Sequence, residues 1–339
     1  MAGEDVFASL EADGQVVVVS FRVTLDGLDR RLSDRVPVGG ADILRIGRNG
    51  IIRGRGDREQ GDQLMGGCLD SGQQQSYRDD GVLCPLAVLT ETETSFACEQ
   101  ALAFLGAQGP EARSVDSSQS HLFFPWAFDL VTNPRVLDAV EGVLGPDIIG
   151  WATTLFAKPP GDSSRVTWHQ DGTYWGLDST RVTTAWIALT VSNPANGCMR
   201  VVPGTQELAI QPHLDTFASD NLLSRGQEIQ VEVDEAEVVD LVLEPGEMSL
   251  HHVNLVHGSD SNTTDGWRVG FTVRYITPDV RQEGNTRPLA VLARGEDRFG
   301  NYQLVDRPPE RPLEDAVAAL GEFNREFLSR LMPSPEPPG

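Results

Sequence analysis

The sequence predicts a mainly β fold with flanking helices, organised as a sandwich or a barrel. Between residues 148 and 280, short strand-like segments alternate with turns rich in Gly, Pro, Asn and Asp. Many short strands with such turn signals are typical of all-β sandwiches and barrels. Helical patterns occur only before and after this region. The chain has 339 residues, of which 40% are hydrophobic, so it can bury a sizeable core and is not a disordered protein.

Two helices are predicted ahead of the strands. Thr90-Glu91-Thr92-Glu93 has the pattern of a capping box, and it is followed by apolar residues at helical spacing, namely Phe96, Leu102 and Leu105. Asn133-Pro134 is typical of an N-cap and the first position of a helix, which would end at Gly145-Pro146.

Seven strands and a terminal helix follow. The strands are predicted at residues 148–157, 166–173, 182–191, 199–202, 238–243, 248–251 and 267–276. The segment 312–332 carries apolar residues at helical spacing, which predicts an amphipathic helix packed on the barrel. The segment 214–231, between two of the strands, is the predicted lid of a pocket.

The chain is expected to contain one folded domain, at residues 66–332. Residues 1–65 show little periodicity beyond a possible lone strand at 17–21, so we expect a poorly ordered or non-native extension. In the second case translation would start at Met65. The Pro-rich residues 333–339 are expected to be a frayed tail.

Composition restricts the partners and the compartment. The net charge of −23 argues against nucleic acid or an anionic membrane as partner, because phosphate groups are bound by cationic surfaces. No apolar run approaches the roughly 20 residues of a membrane span, and the acidic N-terminus does not resemble a signal peptide. The four cysteines form no C-x-x-C pair. We expect a cytoplasmic protein with a small-molecule partner, and the oligomeric state is left open.

Histidine and aspartate residues indicate a metal site. His169 and Asp171 lie two residues apart on a predicted strand, so their side chains point to the same face. A second histidine would complete a face of two histidines and one carboxylate, which suits non-haem Fe(II). His257 is the preferred third ligand, with His251 and His252 as competitors. Taken alone, a His-x-Asp tripeptide is more often not a ligand pair.

An arginine follows at a position that suits an organic acid. On the strand at 267–276, Arg268 and Arg274 share one face. An arginine facing a barrel interior is costly unless it meets an anion, and its guanidinium group fits a carboxylate. A metal face together with a buried Arg268 is what an Fe(II) enzyme that uses 2-oxoglutarate requires.

Spread and ordered motifs then resemble the phytanoyl-CoA dioxygenase family of Fe(II)/2-oxoglutarate oxygenases. The resemblance extends over residues 72–285 and is carried by segments 156–161, 168–177, 184–189, 196–205 and 257–259 with Arg268. It implies a double-stranded β-helix barrel of the jelly-roll, cupin-like type. It assigns the metal to His169, Asp171 and His257, and 2-oxoglutarate to Arg268, Ser259, Trp186 and Thr154. Two positions depart from the usual family pattern, Ser120 and Thr205-Gln206.

The resemblance implies a dioxygenase with Fe(II), 2-oxoglutarate and O2 as cofactor and cosubstrates. Such an enzyme hydroxylates a C–H bond of a small molecule and releases succinate and CO2. Candidate substrate contacts are Tyr174, Trp175, Arg274 and Lys158, the single lysine of the chain. Arg274 is expected about 20 Å from Arg268 along the strand. It would contact either an anionic substrate group or an acidic residue at the barrel rim.

Three other functions stay open at this stage. A halogenase on the same barrel would lack the ligand carboxylate, so Asp171 argues against it. A non-catalytic β-barrel that binds a small molecule would be expected to lose a ligand, yet none is lost. A zinc hydrolase with the same ligands would need a nearby general base, and no H-E-x-x-H helix occurs.

Overall fold

The computed structural model describes residues 68–109, 114–218, 220–223, 225–284 and 287–331, with side chains up to Arg325, and the backbone of four strands before residue 47. Two sheets form the domain and enclose a pocket lined by residues from both; all strand pairs in them are antiparallel except the pair of Leu289–Arg294 with Gln303–Leu304. The fold is therefore the predicted jelly-roll barrel with flanking helices.

The larger sheet has seven strands. In chain order these are β5 (Val82–Ala87), β6 (Ile148–Lys158), β8 (Val182–Ala188), β14 (Glu247–His252), β16 (Arg268–Ile276), β17 (Leu289–Arg294) and β18 (Gln303–Leu304). Their order across the sheet is β18-β17-β6-β16-β8-β14-β5. The long strand β16 pairs with β6 on one side and β8 on the other, so it forms the centre of the barrel wall.

The smaller sheet has four strands in the order β13-β9-β15-β7. These are β7 (Val166–His169), β9 (Met199–Val202), β13 (Val239–Leu241) and β15 (Val256–Ser259). A hairpin of β10 (His213–Asp215) and β11 (Gln227–Ile229) lies within the predicted lid segment. The predicted strand at 166–173 is too long, because the chain leaves the sheet after His169 and Asp171 lies in a single 3₁₀ turn.

Five helices flank the larger sheet: α1 (Ser71–Asp80), α2 (Glu91–Gln108), α3 (Pro125–Val131), α4 (Pro134–Leu144) and α5 (Leu313–Leu331). The predicted caps are confirmed, since the side chains of Thr90 and Asn133 accept hydrogen bonds from the first turns of α2 and α4. The main core cluster joins these helices to the sheet, through residues such as Phe104, Val140 and Phe271.

Of the three apolar residues noted at helical spacing on α2, only Leu105 packs against the core, where it is partly buried. Phe96 is 54% exposed and Leu102 is 36% exposed. The buried side chains are Thr94, Ala97, Ala101 and Phe104. Small alanines let the helix approach its neighbours closely, and packing buries Phe104 while it leaves Phe96 exposed.

Within the N-terminal extension, three strands form an antiparallel sheet in chain order: β1 (Asp5–Ala12), β2 (Gln15–Thr24) and β3 (Gly27–Leu32). Residues 17–21 are therefore part of a strand paired on both sides and not a lone strand. A short strand β4 (Arg45–Ile46) pairs in parallel with β12 (Glu232–Val233). The remaining predictions for residues 1–65 and for 333–339 fall outside the described residues.

Among the described residues, no helix is both long enough and apolar enough to span a bilayer.

Candidate active site

Three potential metal ligands converge between two strands of the smaller sheet. β7 and β15 are antiparallel neighbours, and His169 and His257 stand directly opposite each other in their register. Their ring centroids are 4.1 Å apart. The turn after β7 brings Asp171 back towards them, so that its Oδ1 lies 3.3 Å from His169 Nε2. One ligand atom from each of the three residues lies within 4.8 Å of the others.

Backbone contacts orient both imidazoles for coordination. Nδ1 of His169 lies 2.9 Å from the Thr167 carbonyl oxygen, and Nδ1 of His257 lies 2.9 Å from that of Leu255. An Nδ1–H that donates to a carbonyl leaves Nε2 as an unprotonated ligand, the usual arrangement of metal-binding histidines. Two imidazoles and one carboxylate on one side of an ion fit non-haem Fe(II).

The charge state of the cluster suits a cation. Burial and, after it, the neighbouring His169 lower the pKa of His257 to about 4, so the ring is neutral near pH 7. Burial opposes ionisation of Asp171, but the His169 hydrogen bond and nearby cationic groups outweigh it and hold the pKa of this carboxyl well below its usual range. The cluster therefore offers a neutral nitrogen from His257 and a negative oxygen from Asp171.

The two competing histidines take different positions. His251 lies inside the barrel, 1% exposed, with its ring centroid 5.0 Å from that of His257. It does not belong to the three-residue ligand cluster. His252 points to the other side of β14, where its Nδ1 accepts a hydrogen bond from the Asn254 amide at 3.1 Å. The structure thus brings His257, and neither competitor, together with His169 and Asp171.

At one end of the pocket lies Arg268, which is 2% exposed. Its guanidinium donates to the carbonyl oxygens of Phe156 at 3.2 Å and Gly197 at 2.9 Å, while Nε has no partner. It forms no ion pair with an acidic side chain of the described residues. Its positive charge is therefore available to an anion that enters the pocket.

Trp186 and Ser259 lie next to this arginine. The Arg268 guanidinium carbon lies 5.4 Å from the centroid of the Trp186 ring. Gly270 provides the space for that ring, because a Cβ at Gly270 would lie 2.0 Å from Trp186 Cζ2. The Ser259 hydroxyl accepts a hydrogen bond from Lys158 Nζ at 2.8 Å. Lys158 is fully buried and also donates to the Asp260 carbonyl oxygen.

Arg274 lies in the same pocket as the metal cluster, although its spacing from Arg268 along the strand had predicted a position at the other end of the barrel. It lines the same pocket as Arg268, His169 and Asp171, so the expectation that it lies at the far end of the barrel is wrong. Strand twist and long side chains let both arginines turn towards one cavity. Arg274 donates to Thr154 Oγ1 at 2.7 Å and, within the described chain, makes no ion pair at the rim.

The two aromatic candidates lie just outside this pocket. Trp175 packs against Trp151 with ring centroids 5.5 Å apart, and the Arg274 guanidinium lies 5.2 Å from its ring. Trp175 also lines a neighbouring cavity of about 380 Å³. Tyr174 contacts the β10–β11 hairpin, where Arg225 lies over its ring and pairs with Asp215. The predicted lid segment thus contacts Tyr174.

Sequence reasoning missed several residues of the pocket. The inward face of β8 contributes Thr184 as well as Trp186, and other strands contribute Phe156, Val166, Met199 and Thr272. The alternation along β8 is a signal that could have identified Thr184. Ser120, the departure from the family pattern, does not line this pocket; its Oγ lies 3.3 Å from Thr153 Oγ1.

Comparisons with known proteins agree with this geometry. The family model described as Phytanoyl-CoA dioxygenase (PhyH) matches residues 77–270. The human peroxisomal phytanoyl-CoA dioxygenase is 32% identical over 156 residues, which are 45% of this chain and 46% of that protein. The chain spans about half to three-fifths of the length of the phytanoyl-CoA dioxygenases it matches.

Solved structures are similar as well. The apo form of the non-heme monooxygenase ThoJ has a TM-score of 0.65 at 33% identity, and the match covers 76% of this chain and 98% of that one. CytC3 with Fe(II) and alpha-ketoglutarate has a TM-score of 0.52 at 21% identity, covering 73% of this chain and 95% of that one, and shows the shared fold alone.

Proposed function

The chain belongs to the phytanoyl-CoA dioxygenase family, and from this premise we propose that it is an Fe(II)- and 2-oxoglutarate-dependent dioxygenase that hydroxylates a small molecule. In this reaction O2 supplies one oxygen atom to a substrate C–H bond and one to succinate, and 2-oxoglutarate loses CO2. The observation that supports the proposal most strongly is one pocket that holds both the His169–Asp171–His257 cluster and the unpaired Arg268.

His169, Asp171 and His257 would hold the iron. Two imidazole nitrogens and one carboxylate oxygen would bind the ion, a ligand set that leaves further positions for 2-oxoglutarate and O2. The bound iron, with 2-oxoglutarate and O2, supplies the oxidising chemistry. The carbonyl contacts of Thr167 and Leu255 would keep the two imidazoles in the ligating tautomer. Because Asp171 is present, the alternative of a halogenase is not favoured.

Arg268 would bind the distal carboxylate of 2-oxoglutarate. A buried guanidinium without an acidic partner is favourable only when an anion meets it. Ser259 would donate its hydroxyl proton to the same carboxylate, and Trp186 would pack over the Arg268 side chain. Lys158, at first a candidate for the substrate, is better assigned to this end, since it contacts Ser259. Thr154, a candidate contact of 2-oxoglutarate, would act through Arg274, to which it is hydrogen-bonded.

The primary substrate would enter from the side of Tyr174 and Trp175. Both residues follow Asp171 in the chain, and Trp175 lies against Arg274 and lines the neighbouring cavity. The β10–β11 hairpin packs on Tyr174 and would limit the access of water to the pocket. The pocket walls would then place one C–H bond of the substrate near the metal.

Reconstitution under anaerobic conditions tests the proposal. The protein is loaded with Fe(II), mixed with 2-oxoglutarate and exposed to O2, while succinate is measured with and without a panel of small molecules. We expect succinate release that depends on Fe(II), with stimulation by some members of the panel. If the protein released no succinate but hydrolysed a member of the panel when loaded with Zn(II), a zinc hydrolase would be favoured. Stoichiometric binding without any succinate would favour a non-catalytic binding protein.

A further inference from the structure

One row of inward-facing residues crosses the larger sheet beside the metal cluster. In the register of the sheet, Arg274 on β16 pairs with Ala152 on β6 and with Thr184 on β8, and Thr184 pairs with His251 on β14. Directly paired residues point to the same side of a sheet. Arg274, Thr184 and His251 all line the pocket that contains His169, Asp171 and His257. Three polar side chains thus form one continuous edge of the pocket.

Each residue of this row has one polar atom without a hydrogen-bond partner among the described residues. Thr184 Oγ1, His251 Nδ1 and Arg274 Nε are buried and have no partner among the described residues. Thr184 is 2% exposed and His251 is 1% exposed. Leaving such groups unsatisfied costs free energy, whereas a ligand that accepts and donates hydrogen bonds would recover it. The row therefore has the properties of a ligand-binding surface in its unliganded form.

The charge of the row is positive and is not neutralised by an ion pair. Arg274 donates one hydrogen bond, to Thr154 Oγ1, and within the part of the chain that the structure describes it has no acidic partner. The nearest carboxylate whose charge acts on it is that of Asp171. Asp171 is itself engaged with His169 in the ligand cluster. An arginine in this setting is matched to an external anion.

We propose that Arg274, Thr184 and His251 form a second anion subsite, and that this subsite binds a carboxylate group of the primary substrate. The proposal rests on the proposed function and narrows its substrate class to carboxylic acids. In that function the two carboxylates of 2-oxoglutarate are already assigned, one to Arg268 and one to the metal side. Arg268 and Arg274 line the same pocket but lie six residues apart on β16, with Arg268 opposite Lys158 and Arg274 opposite Ala152, which favours separate anions for the two arginines.

The residues around Arg274 indicate what the rest of the substrate is like. Its guanidinium lies 5.2 Å from the ring of Trp175, which packs on Trp151. The cavity beyond Trp175, about 380 Å³ in volume, is lined in part by Leu177, Ile210 and Val253. This volume lies within the range of pockets for small organic ligands. An acid with an apolar or aromatic body would place its carboxylate at Arg274 and its body along Trp175.

Calorimetric titration of the protein loaded with Mn(II) and saturated with 2-oxoglutarate tests the subsite. The probes are 3-phenylpropanoate and its neutral amide, 3-phenylpropanamide. We expect the acid to bind the unmodified protein at least about tenfold more tightly than the amide. In Arg274→Gln the affinities for the acid and the amide should differ by no more than about threefold. In Arg274→Lys part of the preference for the acid should be restored. Arg298→Gln removes an exposed arginine and is the matched control, which should retain the full difference.

Three results would overturn the subsite. The first is that the unmodified protein binds the acid and the amide equally well, or binds neither of them up to about 10 mM. The second is a preference for the acid that survives in Arg274→Gln. The third is a loss of about tenfold or more in the affinity for 2-oxoglutarate in Arg274→Gln, which would assign this arginine to the cosubstrate. Failure of the unmodified protein to bind 2-oxoglutarate with Mn(II) would instead contradict the proposed function.

Discussion

Lys158 and Arg268 stand directly opposite each other on β6 and β16, and both side chains are buried. Burial, and then the charge of Arg268, lower the pKa of Lys158 to about 7. The amine donates to Ser259 and to the Asp260 carbonyl, which accounts for two of the three donors of the ammonium form, and its charge is not balanced by a buried carboxylate of the described residues. A dicarboxylate bound between the two cations would relieve their repulsion.

The first prediction concerns the pH dependence of 2-oxoglutarate binding. Below pH 7 Lys158 is an ammonium group and attracts the carboxylate; above it the free protein loses this charge, so affinity should fall between about pH 6 and 8.5. Calorimetry of the Mn(II)-loaded protein measures the effect. Lys158→Met should bind 2-oxoglutarate weakly, and Lys158→Arg should bind it tightly. In both variants the affinity should not change with pH. The same slope in Lys158→Met as in the unmodified protein would refute the assignment.

The second prediction separates the two arginines of β16. Arg268→Ala should raise the apparent KM for 2-oxoglutarate about a hundredfold, which corresponds to the loss of a charge-assisted bidentate contact worth about 2–3 kcal/mol. Arg274→Ala should leave this constant nearly unchanged. Succinate release at varied 2-oxoglutarate concentration measures both. An equal loss in the two variants, or a larger one in Arg274→Ala, would reverse the assignment.

The third prediction concerns the metal ligands. His169→Ala, Asp171→Ala and His257→Ala should each abolish turnover and iron binding, because each removes one of three ligands. The fold should remain, since these side chains line a pocket and belong to none of the apolar core clusters. Iron content and thermal unfolding are measured together, with His252→Ala as the matched control. Full activity in His257→Ala together with loss of activity in His252→Ala would assign the third ligand to His252 and not to His257.

The fourth prediction concerns Gly270, which makes room for Trp186. In Gly270→Ala the new Cβ would meet the indole ring at 2.0 Å, so the ring has to move away from Arg268. We expect a loss of about 1–3 kcal/mol in the free energy of unfolding and weaker binding of 2-oxoglutarate. Gly266→Ala is the control, because a Cβ there has no atom within 4 Å. Unchanged stability and affinity in Gly270→Ala would show that the ring is not held at this position.

Local signals in the sequence determined much of the domain and of its metal cluster. The caps at Thr90 and Asn133 each act within three residues, so the starts of α2 and α4 were predictable. His169 and Asp171 were expected to lie close together because they are two residues apart, although the turn after β7, and not strand alternation, brings them together. The motif around His257 and Ser259 predicted the third member of the three-residue cluster and a residue that contacts Lys158. These features depend on short stretches of chain and could be recognised without knowing what packs against them.

The tertiary structure alone decided which distant residues meet. The burial of Ala97 in place of Phe96, the position of Lys158 beside Arg268, and the row of Arg274, Thr184 and His251 all depend on neighbours far away in the chain. Strand register and twist set these contacts, and they result from the packing of the whole barrel. A periodic pattern predicts which side chains of a strand share a face, but it does not predict which strand lies beside it. The second anion subsite could therefore be proposed only from the assembled sheets.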